Sequence, residues 1–140
     1  IKLVPALAFF MPLIAAMAGN VGVQSSAIVV QALASARKEN KMIEKLTKEL
    51  AIGLFNGVIL SLVMYGAGLL LGYDQLITLT VSTSLFTVIV FASLFGTFIP
   101  LMLDKLKIDA ALATGPFITT ANDVIGLIIY FQIGRLIIGY

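Results

Sequence analysis

Residues 110–134 read AALATGPFITTANDVIGLIIYFQIG. About 20 apolar residues at a helical rise of about 1.5 Å each suffice to cross a bilayer, so this stretch is long enough to span. It carries a single formal charge, Asp123. A charged side chain near a bilayer centre costs at least about 2.5–3.5 kcal/mol, and such residues mark ion or substrate paths. One stretch therefore argues both for a membrane fold and for where function sits in it. The bland alternative is a structural carboxylate paired with Asn122, Thr119 or a neighbouring amide.

The rest of the chain fits the same solvent. Residues 3–36, 50–73 and 75–103 contain no charged side chain, and the composition is 60% hydrophobic with 11% charged. Soluble domains carry about 25% charged residues, too many to reconcile with this surface. The mean hydropathy is +1.09. The fold expected is an all-α polytopic helix bundle, with spans at about 3–35, 50–72, 76–103 and 110–136 in one transmembrane domain, 1–140. The basic pI near 9.0 does not imply nucleic acid, because Lys and Arg gather at span ends. With no Cys and no His, thiol nucleophiles, disulfides, zinc ligands and histidine bases are excluded.

Charge also gives topology. The segment ARKENKMIEKLTKE, residues 36–49, holds Arg37, Lys38, Lys41, Lys45 and Lys48, so it is expected on the cytoplasmic side, as a short amphipathic helix or as extensions of its flanking spans. The turn 72–75 carries only Asp74 and fits the outside, and DKLKID, residues 104–109, returns to the inside. Four spans then leave the N-terminus outside without a signal peptide, which an additional upstream span resolves. The expectation is a fragment of a larger membrane protein.

Within the first span, Ala8, Pro12, Ala15, Gly19, Gly22 and Ser26 recur at steps of three and four, with Asn20, Gln24 and Gln31 on the adjacent edge. Gly53, Gly57 and Ser61 make a similar seam in the second span, with Asn56 beside it. The third span opens with TLTVSTSLFT, whose hydroxyls bond their own backbone or a neighbouring helix. In the fourth, Gly115-Pro116 interrupts the first part, and Gly115, Thr119 and Asp123 share a face at steps of four. Asn20 and Asp123 fall near mid-depth. A carboxylate, a hydroxyl and carbonyls near a proline form an all-oxygen set suited to a hard cation such as Mg²⁺, Ca²⁺ or Na⁺. One Asp per chain is a thin site for a divalent ion, and a symmetric dimer would double it. An intramembrane aspartyl enzyme needs two carboxylates sharing a proton, so no enzyme is expected. A cation carrier and a structural membrane subunit remain the alternatives to a channel.

Two stretches carry a resemblance. PLIAAMAGNVGVQSSAIVVQALA, with its proline followed by GN-x-G-x-Q, resembles the second membrane helix of MgtE-type magnesium channels, and DAALATGPFITTANDVIGLIIYF resembles the fifth. The resemblance implies a homodimer in the bacterial inner membrane, with a pore on the dimer axis lined by these two helices. It implies Asp123 as the pore carboxylate, with the carbonyls of Thr119 and Gly115 one and two turns earlier as further metal-site groups. Gly19, Asn20 and Gln24 become pore-lining residues, and Mg²⁺ is the bound and transported ion, with no cofactor. The chain departs from the pattern in showing four helices rather than five, in lacking the N-terminal cytoplasmic and CBS regulatory domains, and in having Gly115 where Asn is common.

Overall fold

The computed structural model describes residues 3–35 and 42–139. Four long helices follow in order: α1, Leu3–Ala34; α2, Met42–Leu70; α3, Gln75–Lys105; and α4, Pro116–Ile138, preceded by a 3₁₀ turn at Ala110–Ala113. All four are long and apolar enough to cross a membrane, as expected for an all-α membrane bundle. The described part of the basic segment extends α2, which begins at Met42 and carries Lys45 and Lys48 in its first turns. Arg37, Lys38 and Lys41 lie outside the described residues.

Local chemistry sets the helix ends. Asp74 caps α3, its carboxylate accepting from the backbone N–H of Leu76 at 2.8 Å, and Asp109 likewise accepts from Ala111 at 3.0 Å to start the 3₁₀ turn. Neither Pro12 nor Pro100 ends its helix; α1 and α3 continue through them. Each leaves the carbonyl four residues earlier, at Ala8 and Gly96, without its usual helical donor. The hydroxyls of Thr78, Thr80 and Thr87 donate to the carbonyls of Asp74, Leu76 and Thr83 on or beside their own helix.

The centre of the bundle is α3, which packs on α1, α2 and α4, while α2 leans almost wholly on α3. Leu7, Phe10, Ile14, Ala18, Val81, Leu85, Val88 and Tyr130 form the apolar core. Apolar area alone gives little drive between helices in lipid, so close backbone approach and hydrogen bonds must hold them. The glycines mark where this happens. A Cβ on Gly53 would overlap Ser93, one on Gly57 would meet the Phe86 ring at 3.0 Å, and one on Gly68 would meet Thr78 at 2.6 Å. Gly96 makes a backbone-to-backbone approach, where a Cβ would strike the main chain of Gly22. The anticipated seam on α2 is therefore the α2–α3 contact, and Asn56 beside it is exposed.

Candidate ion site in the α1–α4 seam

Helices α1 and α4 run antiparallel, and their contacts follow in register. The Ser26 hydroxyl donates to the carbonyl of Ala113 at 2.6 Å. Gly22 receives the side chain of Asn122, and Gly19 faces Asp123 and Thr119. Ala18 lies against Gly126, where an added Cβ would be 3.0 Å from the alanine methyl. At the far end, the buried Tyr130 hydroxyl donates to the carbonyl of Leu7 at 2.8 Å. The small-residue stripe of α1 is thus divided: Gly19, Gly22 and Ser26 are buried, whereas Ala8 and Pro12 are exposed.

The entry to α4 explains how Asp123 reaches this seam. Gly115 has φ 61° and ψ −129°, a backbone conformation that residues with a Cβ rarely adopt. Pro116 follows at the first turn, where its missing N–H costs no helical bond. The Gly115 carbonyl then accepts from both the backbone N–H of Thr119, at 3.0 Å, and its hydroxyl, at 3.1 Å. The regular rise of α4 thus starts at Pro116, not Ala110, and Asp123 comes two turns later. Its neighbour Gly19 lies near the middle of α1, so the carboxylate is level with the middle of that helix, two turns into α4.

Asp123 itself is half-buried, and its Oδ1 is enclosed with no hydrogen-bond partner among the described residues. A Cβ at Gly19 would stand 2.7 Å from that oxygen and 3.2 Å from Thr119 Cγ2. The absence of a side chain at Gly19 is what leaves room for the carboxylate. The structure therefore gathers Gly19, Thr119 and Asp123, and links Gly115 to them through Thr119. Asn20 and Gln24 are exposed on the neighbouring edge of α1, a position open to a hydrated ion or a second chain. Among the described residues no three His, Cys, Asp or Glu side chains gather as metal ligands. A divalent ion at this seam would meet one carboxylate per chain.

Two polar residues take places that the sequence does not assign them, Asn122 being considered there only as a partner for Asp123. Asn122 is fully buried, donates to the Ile118 carbonyl at 3.0 Å, and has an Oδ1 without a partner among the described residues. Glu49 is only 8% exposed and accepts from the Ser25 hydroxyl at 3.0 Å, joining α2 to α1. In sequence Glu49 merges with the charged segment before it. Only the helical register, which places it one turn ahead of the packed Gly53, separates it from the solvated charges.

Residues 11–133 match a family model described as MgtE, divalent cation transporter. The chain belongs to this family. Among its relatives, the magnesium transporter MgtE of Bacillus subtilis is 39% identical over 139 residues, covering 99% of this chain and 31% of the relative. The magnesium transporter MgtE of Thermus thermophilus is 34% identical with the same two coverages. That of Enterococcus faecalis is 33% identical over 135 residues, or 96% of this chain and 30% of the relative. The chain spans about a third of the length of these curated relatives. The resemblance carried by the GN-x-G-x-Q and TTAND stretches is borne out, and both stretches lie within the MgtE match. With four spanning helices, this MgtE chain is a multi-pass membrane protein.

Proposed function

We propose that this chain is the pore-forming part of a Mg²⁺ channel of the bacterial inner membrane. Two copies pair about an axis, and their Asp123 carboxylates attract hydrated Mg²⁺ at mid-depth. The observation that carries the reading is the setting of Asp123: a half-buried carboxylate within an apolar spanning helix, beside the middle of α1, with an enclosed oxygen that no group among the described residues satisfies. Buried charges are ordinarily paired or bound to a cation. Gly19 provides the space beside it, and the exposed amides of Asn20 and Gln24 flank it on the adjacent edge. In this reading a pair of carboxylates supplies a formal charge of about −2, which suits an ion that binds through one or two carboxylates and keeps several waters. The carbonyls of Thr119 and Gly115 lie below the carboxylate as further oxygens, and the one at Gly115 is reached by displacing hydrogen bonds from Thr119.

The test is Mg²⁺ flux and single-channel recording on the protein reconstituted in vesicles. Ohmic unitary currents that disappear in Asp123→Ala support a channel with this site. Saturable coupled flux without unitary currents would make it a carrier, and undiminished flux in Asp123→Ala would remove the site from the path.

A further inference from the structure

Asn122 precedes Asp123, yet its surroundings are of another kind. Its side chain is fully buried, tied by Nδ2 to the Ile118 carbonyl of its own helix, and seated where a Cβ on Gly22 would overlap it. Gly22 cannot back away, because its other side lies against Gly96 of α3, where a Cβ would strike the Gly22 carbonyl and Cα. The carboxamide is therefore wedged against a backbone that a third helix holds in place. Its Oδ1 finds no partner among the described residues, and an unsatisfied buried oxygen costs folding free energy. An apolar side chain of the same volume would fill the seam without that cost, so packing alone does not account for an amide here.

We propose that Asn122 is the positioning residue of the ion site: its carboxamide, wedged into the Gly22 notch, sets the rotation of α4 and with it the direction of the Asp123 carboxylate. The inference rests on the reading of Asp123 as the ion-binding group. Ile118, Asn122, Gly126 and Tyr130 recur at steps of four and are all buried. Asp123 leaves the helix about 100° round from that seam, on the stripe with Thr119. A carboxylate stands about 6 Å from the helix axis, so a turn of about 10° moves it about 1 Å. Displacements of that size degrade a site whose supporting contacts are loose.

The experiment perturbs one contact from both sides. Gly22→Ala pushes on Asn122 without altering it; Asn122→Ala removes the group that is pushed; Gly66→Ala, at a glycine with no atom within 4 Å of an added Cβ, is the control. Mg²⁺ affinity by titration calorimetry and Mg²⁺-over-Ca²⁺ selectivity of flux are read on protein shown to be folded by its melting transition. Each single seam variant should weaken Mg²⁺ on the order of tenfold and lower selectivity, and the double variant should lose less than the sum, because the colliding group is gone. Asn122→Thr, close to asparagine in volume, should keep a melting temperature near that of the wild type while losing selectivity, and it stands in where the other seam variants do not fold. Wild-type affinity and selectivity in the folded seam variants, or strictly additive losses, overturn the proposal. If Asp123→Ala abolishes Mg²⁺ binding while the seam variants behave as wild type, only the positioning role falls. If Asp123→Ala binds Mg²⁺ normally, the ion site falls and the positioning role with it.

Discussion

Asp123 is legible from the amino-acid sequence alone, because a lone carboxylate in an apolar stretch has no ordinary place in lipid. Asn122 is not, because an amide in a membrane span reads equally as glue between helices. Only the notch at Gly22 and the orphaned Oδ1 separate it from Asn20 or Asn56. Removing the charge should therefore have a clean consequence. Asp123→Ala deletes an enclosed oxygen that accepts no hydrogen bond among the described residues. Its melting temperature in detergent should be at or above that of the wild type while Mg²⁺ affinity falls below detection by calorimetry. A drop in melting temperature with affinity retained would assign the carboxylate a structural role. Gly115 makes the opposite kind of prediction. At φ 61° and ψ −129°, outside the left-handed helical region, a Cβ costs roughly 1–3 kcal/mol, although no neighbour lies within 4 Å of it. Gly115→Ala should lower thermal stability by about that amount and shift the entry to α4. An unchanged melting curve would mean that the turn relaxes to an ordinary conformation.

At the scale of elements, composition and charge spacing locate all four helices, because each span is set by a solvent that tolerates little else. What charge spacing does not resolve is where regular helix begins. The fourth apolar stretch is continuous from Ala110, yet α4 starts at Pro116 because Gly115 turns the chain there, and the preceding residues form a separate 3₁₀ turn. Conversely, α2 reaches back through part of the charged segment, and that extension carries Glu49 into its contact with Ser25. The stripe of small residues on α1 is readable as a packing face, but the helix it meets is not. Gly19, Gly22 and Ser26 receive α4 and the turn before it within the same chain. This makes substitutions at two glycines informative. Gly19→Leu places a branched side chain where Asp123 and Thr119 already sit, whereas Gly66 faces open space. Gly19→Leu should reduce Mg²⁺ flux severely and lower stability by about 1–3 kcal/mol through overpacking, and Gly66→Leu should leave both near wild type. Equal flux and equal melting temperatures for the pair would show that α1 and α4 do not hold this contact in the membrane.

At the scale of the whole molecule, the question is how the proposed site, with one carboxylate per chain, would select an ion. Mg²⁺ requires near-ideal octahedral oxygens at about 2.0–2.1 Å if stripped of water, and it sheds water reluctantly. Within one chain, the Thr119 hydroxyl and its backbone N–H both donate to the Gly115 carbonyl, and no cluster of three carboxylates exists among the described residues. Two copies of Asp123 would therefore supply charge but too few free oxygens to replace a hydration shell. The exposed amides of Asn20 and Gln24 can accept from and donate to water, and so can orient a shell that stays on the ion. On the proposed reading, selectivity would follow from the radius of the hydrated ion. Ca²⁺, with longer bonds and a looser shell, should pass poorly, and an inert hexammine cobalt cation of similar outer radius should compete with Mg²⁺ and block flux. Because that cation cannot exchange its ligands, competition would show that no direct metal–protein bond is needed. Lack of competition, or a metal-soaked structure with protein oxygens at about 2.0–2.1 Å on most coordination positions, would refute selection of the hydrated ion. Asp123→Asn should weaken the block by hexammine cobalt and the binding of Mg²⁺ in parallel, since both depend on the same charge rather than on a bond.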